Sequence, residues 1–491
     1  MSGEIPKENG LLGSLQLFDL EHNTLEGGIP EELCTLYGLA FLLLQNTNLG
    51  GEIPSCINNL ENLEVLRLDN NNFSGEIPPE ICNLIDLEYI VLDKNLFSGS
   101  LPECIGDLTS LTFVSMSDNN FEGELPDFSL MSGLEQLYLD DNEFEGFPID
   151  SLFDMANLEF LYLENNNFEG DIHEYGRDMP NLMALDLSSN MFTSQDPDDE
   201  YYEFRYGIPR HFFNIQNLTI LDLSNNLLEG EFPVDIPVQD KMLYFSVHDN
   251  DFSGPLPAGL KNLTALVHLD LATNDFEGTI PIEFFEMPEL IHLFLSENPN
   301  LTPGPVPDAL KDMTQLTELS LKNTARTGAL PELLNFDAMF LLDLDNNDFE
   351  GTVPASYGQL SNLRYLLINR NPSLGGTIPE FIGTNNFNTL LVDGTQITGD
   401  FSSICALPGF TGEIVFPTDA IALADCSDPD SGIDCDCCHC CAADDDTCSD
   451  AKVASLDWDW QAGFRRTTRN FAIDLDAYEP PESPLERIGS D

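Results

Sequence analysis

The stretch Leu63-Glu64-Val65-Leu66-Arg67-Leu68-Asp69-Asn70-Asn71-Asn72-Phe73-Ser74-Gly75-Glu76-Ile77-Pro78 decides the fold. Leu66 and Leu68 flank Arg67, an alternation that reads as a short strand with one face buried. Asn71 follows where the chain must turn. Its amide both donates and accepts, so it can pair with backbone groups that a tight bend leaves unpaired. Gly75 permits backbone angles that a Cβ forbids, and Pro78 fixes its own angle and stops the strand. The skeleton is L-x-x-L-x-L-x-x-N-x-F-x-G-x-I-P.

Taking the first Leu as position 1, units begin at Leu15, Leu39, Leu63, Leu87, Leu111, Leu134, Leu158, Leu182, Leu218, Met242, Leu266, Leu290, Leu316, Met339, Leu363 and Phe387, sixteen in all and mostly 24 residues apart. The turn Asn recurs from Asn23 to Asn371, with Thr47, Thr324 and Thr395 in its place three times, where a hydroxyl can do part of the same job. Phe dominates two places later (Phe73, Phe97, Phe121, Phe144, Phe168, Phe192, Phe252, Phe276, Phe349) and predicts a column of stacked rings. A lone unit cannot bury its leucines, whereas stacked copies cover one another. The period is interrupted in three places: near Gly146-Phe147-Pro148, at Asn298-Pro299-Asn300-Leu301, and by an insertion between Phe192 and Ile208.

The G-x-I-P ending of the unit resembles the plant-type class of extracellular leucine-rich repeat, as in plant receptor ectodomains and polygalacturonase-inhibiting proteins, over roughly residues 3–404. The resemblance implies an α/β-repeat, right-handed solenoid with a concave parallel sheet and 3₁₀ turns on the convex side. It also implies binding of peptides, glycans, proteins or co-receptors, and no catalytic residue. The cysteine-dense ending resembles that of secreted repeat proteins predicted in diatoms and related algae. The domain expectation is a solenoid over 1–404, a cysteine-rich cap over 405–448 and a mostly flexible tail over 449–491, which carries Trp458, Trp460 and the basic cluster Arg465, Arg466 and Arg469.

Lys and Arg total 18 against 86 Asp and Glu, a net charge of −68, which argues against nucleic acid or an anionic membrane as a partner. Hydrophobic content of 42% is too high for a disordered acidic tail. No apolar run is long enough to span a membrane. Met1 leads directly into Ser2-Gly3-Glu4-Ile5-Pro6, which matches Ser74 to Pro78, so we expect an upstream segment carrying a cap and a signal peptide. The expected location is extracellular or at the cell surface.

Cys34, Cys56, Cys82 and Cys104 alternate between unit positions 20 and 18 on successive units, which predicts Cys34–Cys56 and Cys82–Cys104 bridges. Cys405, Cys426, Cys435, Cys437, Cys438, Cys440, Cys441 and Cys448 read as a disulfide-rich cap of open connectivity, with a metal cluster around His439 as the rival. Asn72, Asn217, Asn262 and Asn300 each begin an N-x-S/T glycosylation sequon.

Unit positions 3 and 5 share the strand face expected to be concave. Tyr89, Phe113 and Phe160 fall at position 3 and Tyr138 and Tyr162 at position 5, an aromatic patch read as exposed and ligand-binding. Tyr244, His268, His292 and Glu318 occupy position 3 of four successive units, with His248 and Asp270 nearby; solvated histidines are the expectation there, and a metal or pH-sensing site the rival. Position 7 is often acidic (Glu21, Asp69, Asp93, Asp140, Glu164, Asp345, Asp393), and loosely bound cations are expected there. The inserted Asp196, Asp198, Asp199 and Glu200 could hold Ca²⁺ through hard oxygen ligands; no other cofactor is expected.

There is no G-x-S-x-G elbow, H-E-x-x-H pair or phosphate-binding glycine loop, so the expectation is not an enzyme. It is a non-catalytic recognition or adhesion module that binds a protein, peptide or polysaccharide. An inhibitor of a secreted glycosidase and a structural wall or adhesion protein are the alternatives.

Overall fold

A computed structural model describes residues 2–148, 152, 155–172, 179–194, 207–380, 389–392 and 394–400, together with short strands at 414–416, 433–434 and 438–440. These residues fall into two compact units divided between Glu229 and Gly230.

In the first unit nine three-residue strands lie parallel, in chain order: Leu17–Asp19, Phe41–Leu43, Val65–Arg67, Tyr89–Val91, Phe113–Ser115, Gln136–Tyr138, Phe160–Tyr162, Ala184–Asp186 and Ile220–Asp222. Each position pairs with its own equivalent one repeat on, as Val65 with Tyr89 and Arg67 with Val91. The middle residue of each strand, among them Leu66, Ile90, Leu137 and Leu161, points inward and is buried. A second parallel sheet of seven strands, from Gly50–Gly51 to Met191–Thr193, lies further along the repeats. Five-residue 3₁₀ turns complete several coils, such as Glu31–Thr35, Ser55–Asn59, Pro79–Asn83 and Glu103–Asp107. Each begins just after a proline held at φ between −60° and −71°, which ends the extended segment and sets up the turn.

The second unit repeats the plan with seven strands: Tyr244–Ser246, His268–Asp270, His292–Phe294, Glu318–Ser320, Leu341–Asp343, Tyr365–Leu367 and Thr389–Leu391. Two more parallel strands, Ile414–Phe416 and Cys438–Cys440, run on from the last of these, so ladder pairing continues into the stretch expected to be a cap. Among the described residues there is no α-helix. Each of the sixteen expected units contributes a strand, in register within its own compact unit, and the architecture is a leucine-rich-repeat solenoid.

The turn asparagines stitch one coil to the next. The Asn95 amide donates to Leu92 O at 2.9 Å and Asp93 O at 3.1 Å in its own turn, and to Leu68 O at 2.9 Å in the preceding coil. Its Oδ1 accepts the Phe73 N–H at 2.9 Å. Asn119, Asn142, Asn166 and Asn190 repeat this pattern, as do Asn274 and Asn298 in the second unit. The residue before each turn Asn adopts a left-handed backbone, as at Asn70 (φ 57°), Lys94 (52°) and Asp118 (54°), and the fold accepts that local cost at every coil. Where Thr stands in, its hydroxyl makes the same-turn bond: Thr47 to Leu44 O at 2.7 Å, Thr324 to Leu321 O and Thr395 to Val392 O both at 2.6 Å.

The Phe73, Phe97, Phe121, Phe144, Phe168 and Phe192 rings stack with centroids 5.9–6.3 Å apart and planes within 18° of parallel. All six are completely buried. Gly99 sits at φ +76°, and a Cβ there would lie 2.8 Å from Glu76 Cγ, so glycine alone fits between the coils. Cys34 is bonded to Cys56 and Cys82 to Cys104, each pair with Cα atoms 5.8 Å apart, which ties four successive coils in two pairs.

Phe121→Ala removes a ring with a neighbour on each side, and unfolding in urea should show a loss of about 3–5 kcal/mol. Tyr357, completely buried in the second unit, has a hydroxyl without a hydrogen-bond partner among the described residues. Tyr357→Phe should therefore unfold at the same urea concentration as the parent or a higher one.

Candidate functional site

Because successive strands pair in register, equivalent side chains form rows across the ladder. In the first unit one row is aromatic. Tyr89 faces Phe113 at 6.0 Å between ring centroids, Phe113 meets Tyr138 at 5.6 Å, and Tyr138 stacks on Tyr162 at 5.2 Å and 16°. The row shifts from position 3 to position 5 between Phe113 and Tyr138. Phe160 stands at position 3, between Gln136 and Ala184.

The expectation of exposed rings is corrected here. Phe113, Tyr138, Phe160 and Tyr162 are all buried, and Tyr89 is half-buried. Strands ~4.8 Å apart bring equivalent rings within stacking distance, so each ring covers its neighbours. The Tyr138 hydroxyl donates to Gln136 Oε1 at 3.1 Å.

Carboxylates adjoin this row. Asp186 pairs with Tyr162 on the next strand, and Asp222 with Asp186 on the one after. Asp140 and Glu164 lie two residues beyond Tyr138 and Tyr162. Several of these heads are fixed by serines: Ser188 N–H donates to Asp186 Oδ1 at 3.0 Å, Ser224 N–H and hydroxyl to Asp222 Oδ1 at 3.0 and 2.6 Å, and the Ser117 hydroxyl to Asp140. Burial, then the charges of Asp186, Asp141 and Asp222, hold Glu164 well above the usual carboxylate range. Burial likewise raises the Tyr162 phenol, helped by Tyr138, Asp186, Glu164 and Asp222.

Position 7 also departs from the expected loosely bound cations, because protein donors meet these carboxylates. Asp69 pairs with Arg67 at 3.2 Å, Asp93 accepts from the Ser115 hydroxyl at 2.7 Å and Ser117 N–H at 2.8 Å, and Asp345 is clasped by Arg370. Glu21 accepts from the Gln45 amide. The second unit carries a mixed row. Tyr244 stacks on His268 at 4.5 Å, His268 lies 5.5 Å from His292, and Glu318 follows on the next strand. His268 is only 3% exposed, which corrects the expectation of solvated histidines: the ring is sandwiched between Tyr244 and His292, and also touches Phe294. Burial, with His292 and His248 next, pulls its pKa well below the ordinary value; burial alone takes His292 down to about 4. Burial raises Glu318 to about 7. Further on, Phe294, Leu341, Leu367 and Leu391 form a buried apolar cluster. No group of three or more His, Cys, Asp or Glu among the described residues is arranged to hold a metal ion.

The calcium reading at Asp196, Asp198, Asp199 and Glu200 lies outside the described residues, as do Asp393, Cys405, Cys426, Cys435, Cys437, Cys441, Cys448 and the tail. Of the sequon asparagines, Asn72 and Asn300 are exposed, whereas Asn217 and Asn262 are half-buried and donate to Pro180 O at 2.9 Å and Ile236 O at 2.7 Å. The serine clamps and the ring-on-ring burial are what reading the residues missed. The recurrence of Ser115, Ser117, Ser188 and Ser224 at positions 5 and 7 was the available signal for the clamps.

The Leucine-rich repeat region family model matches residues 12–198, and the Leucine Rich Repeat model matches 217–238. Among solved structures, the ectodomain of the Arabidopsis receptor kinase HAESA, in complex with the peptide hormone IDA and the co-receptor SERK1, is 29% identical. That match covers 86% of this chain and 73% of the other, with a TM-score of 0.66. A TDR receptor is 26% identical over 85% of this chain and 70% of its own, with a TM-score of 0.74. A Leptospira interrogans leucine-rich-repeat protein is 27% identical over 80% and 88%, with a TM-score of 0.59. No curated protein matches the sequence.

The buried carboxyl of Glu318 yields a signed pH prediction. Its folded pKa of about 7 exceeds the ordinary 4.5, so the folded state is favoured below 4.5 and loses that advantage as pH rises through 7. Glu318→Gln should raise Tm at pH 8.5 by about 2–4 °C, with the gain shrinking toward pH 4.5, measured by thermal melts across that range. His292 acts oppositely: stability is lost as pH falls from 6.5 toward 4.

Proposed function

We propose, from the premise that this chain belongs to the leucine-rich-repeat proteins, that it is a non-catalytic recognition module whose strand-ladder face grips an extended ligand outside the cell. The observation that carries the reading is the ring row Tyr89–Phe113–Tyr138–Tyr162, flanked by Phe160 and by clamped carboxylates. Rings locked by their neighbours make a preorganised face with little further entropy to lose on binding, and half-buried Tyr89 is the member of the row with most surface left to offer. A row that crosses successive strands favours a long partner, a peptide or protein segment, over a compact small molecule. In the other unit, half-buried His292, backed by the buried Tyr244 and His268, offers a second point of contact.

The relatives support this reading to the extent of their descriptions: HAESA is a receptor kinase seen with a peptide hormone and a co-receptor. The Cys34–Cys56 and Cys82–Cys104 bonds support an oxidising, extracellular compartment. The exposed Asn72 and Asn300 are the sequon sites best placed to carry glycans in such a setting. No helix among the described residues is long and apolar enough to cross a membrane.

The test is to select binders from a displayed random-peptide library and a glycan array on the full chain, then map each by hydrogen–deuterium exchange. Protection is expected over the strands from Tyr89–Val91 to Ala184–Asp186. Protection confined to the outer strands, such as Asn72–Gly75 and Asn120–Gly123, would overturn the reading.

A further inference from the structure

The residue just before each ladder strand belongs to a row of its own, because its N–H donates to the equivalent carbonyl one coil back. In the first unit that row carries Glu64, Glu88, Glu135 and Glu159. In the second unit it reads Leu243, Val267, Ile291, Thr317 and Phe340, linked by N–H···O bonds of 2.9, 2.8, 2.9 and 2.6 Å in turn. Thr317 is the one polar member, and its hydroxyl donates to Ile291 O at 3.4 Å. All five are half-buried, so each keeps surface open to solvent. Four ladder steps make the row about 19 Å long. A continuous apolar strip on a chain of net charge −68 is unlike a solvated edge and marks a docking surface. Arg364 ends it: its N–H donates to Phe340 O at 2.9 Å and its guanidinium lies 5.5 Å from the Phe340 ring centroid. The Arg364 Nε has no hydrogen-bond partner among the described residues. The strip therefore suits apolar side chains accompanied by a carboxylate.

A second copy would bring another −68 to this contact and meet repulsion. The chain itself supplies matching chemistry. Leu456-Asp457-Trp458-Asp459-Trp460 alternates apolar and acidic residues, a pattern that in an extended backbone puts the apolar three on one side and the aspartates on the other. Arg465, Arg466 and Arg469 follow, and the exposed Glu289 and Asp337 stand two and three residues ahead of Ile291 and Phe340. The reach is also right. Fifteen residues separate Cys440 from Leu456, and a coil of that length spans about 20 Å. From the strand Cys438–Cys440 back to Leu341–Asp343 is four ladder steps, about 19 Å. Tethering at this distance gives the segment an effective concentration on the order of a millimolar beside the strip.

We propose that residues 456–460 dock on the second unit's apolar row, with Trp458 and Trp460 against Ile291 and Phe340 and an aspartate toward Arg364. Tryptophan suits such a strip because a large ring covers half-buried aliphatic surface at low entropic cost. The docked segment covers the row beside His292 and Tyr365, so it closes that part of the ladder face until it is displaced. The contact needs no outside ligand, and it stands or falls apart from the recognition reading.

Trp458 and Trp460 are the only tryptophans in the chain, so acrylamide quenching of tryptophan fluorescence in the full chain reads the contact directly. The reference is a free peptide of residues 452–470. Docking predicts quenching about threefold or more weaker in the chain than in the peptide. Ile291→Glu with Phe340→Glu should bring the chain to the peptide's value, because it sets unpaired carboxylates under the rings. Met183→Glu, in the same row of the first unit, should leave the shielding intact. Leu456→Ser with Trp458→Ser, which touches none of the described residues, should free Trp460 to the same extent. Quenching that is equal in parent chain and peptide would overturn the proposal without recourse to any variant. Shielding that survives Ile291→Glu with Phe340→Glu would place the segment elsewhere, and shielding that fades on dilution would make the occupant a second copy; either result overturns it.

Discussion

Everything in this molecule hangs on one side-chain amide used repeatedly. A short strand that ends in a sharp turn leaves carbonyls without partners, and the turn places them in a dry interior. Asn95 and its equivalents meet that need with three donated bonds and one accepted bond, shared between a coil and the one before it. A coil on its own would leave the preceding-coil bonds unmade and its leucines wet, so stability is a property of neighbours. The phenylalanine column obeys the same logic, since each ring is covered by the rings above and below.

The amide ladder also dictates what the strand face can be. Locked register makes every unit position a row, and residues of one kind at one position must sit side by side. Aromatic residues gain from this, because they stack and bury one another. Carboxylates are placed under repulsion, which the chain relieves locally with serine hydroxyls and backbone N–H groups, or with Arg67 and Arg370. In the second unit burial and row neighbours together set the protonation of His268, and burial that of Glu318. The face is thus chemically banded within each unit: aromatic then acidic in the first, and histidine–glutamate then apolar in the second.

Most of the fold was legible, because its determinants sit at fixed spacings. The Leu, Asn, Phe and Gly positions each have one physical job, and Thr47, Thr324 and Thr395 do the part of the asparagine's job that a hydroxyl can do. The two N-terminal bridges followed from unit coordinates, which translate sequence distance into spatial distance. Burial on the strand face was less legible. Alternation tells which face Tyr138 or His268 occupies, yet not that neighbouring rings will cover it. The same gap explains the position-7 acids, whose serine and arginine donors come from the same coil or a neighbouring one. The strands Ile414–Phe416 and Cys438–Cys440 escaped notice because the leucine pattern had ended, although backbone pairing does not require it.

The central claim is that the turn amide, rather than leucine burial alone, couples each coil to the next. The direct measurement compares Asn119→Ala with Asn119→Thr by urea unfolding and by amide exchange at Phe97, whose N–H is held by Asn119 Oδ1 at 3.1 Å. Alanine should cost about 3 kcal/mol or more and expose the Phe97 amide to exchange, and threonine should recover a measurable part of that stability. If the alanine and threonine variants unfold together with the parent, and the Phe97 amide stays protected, the account is contradicted.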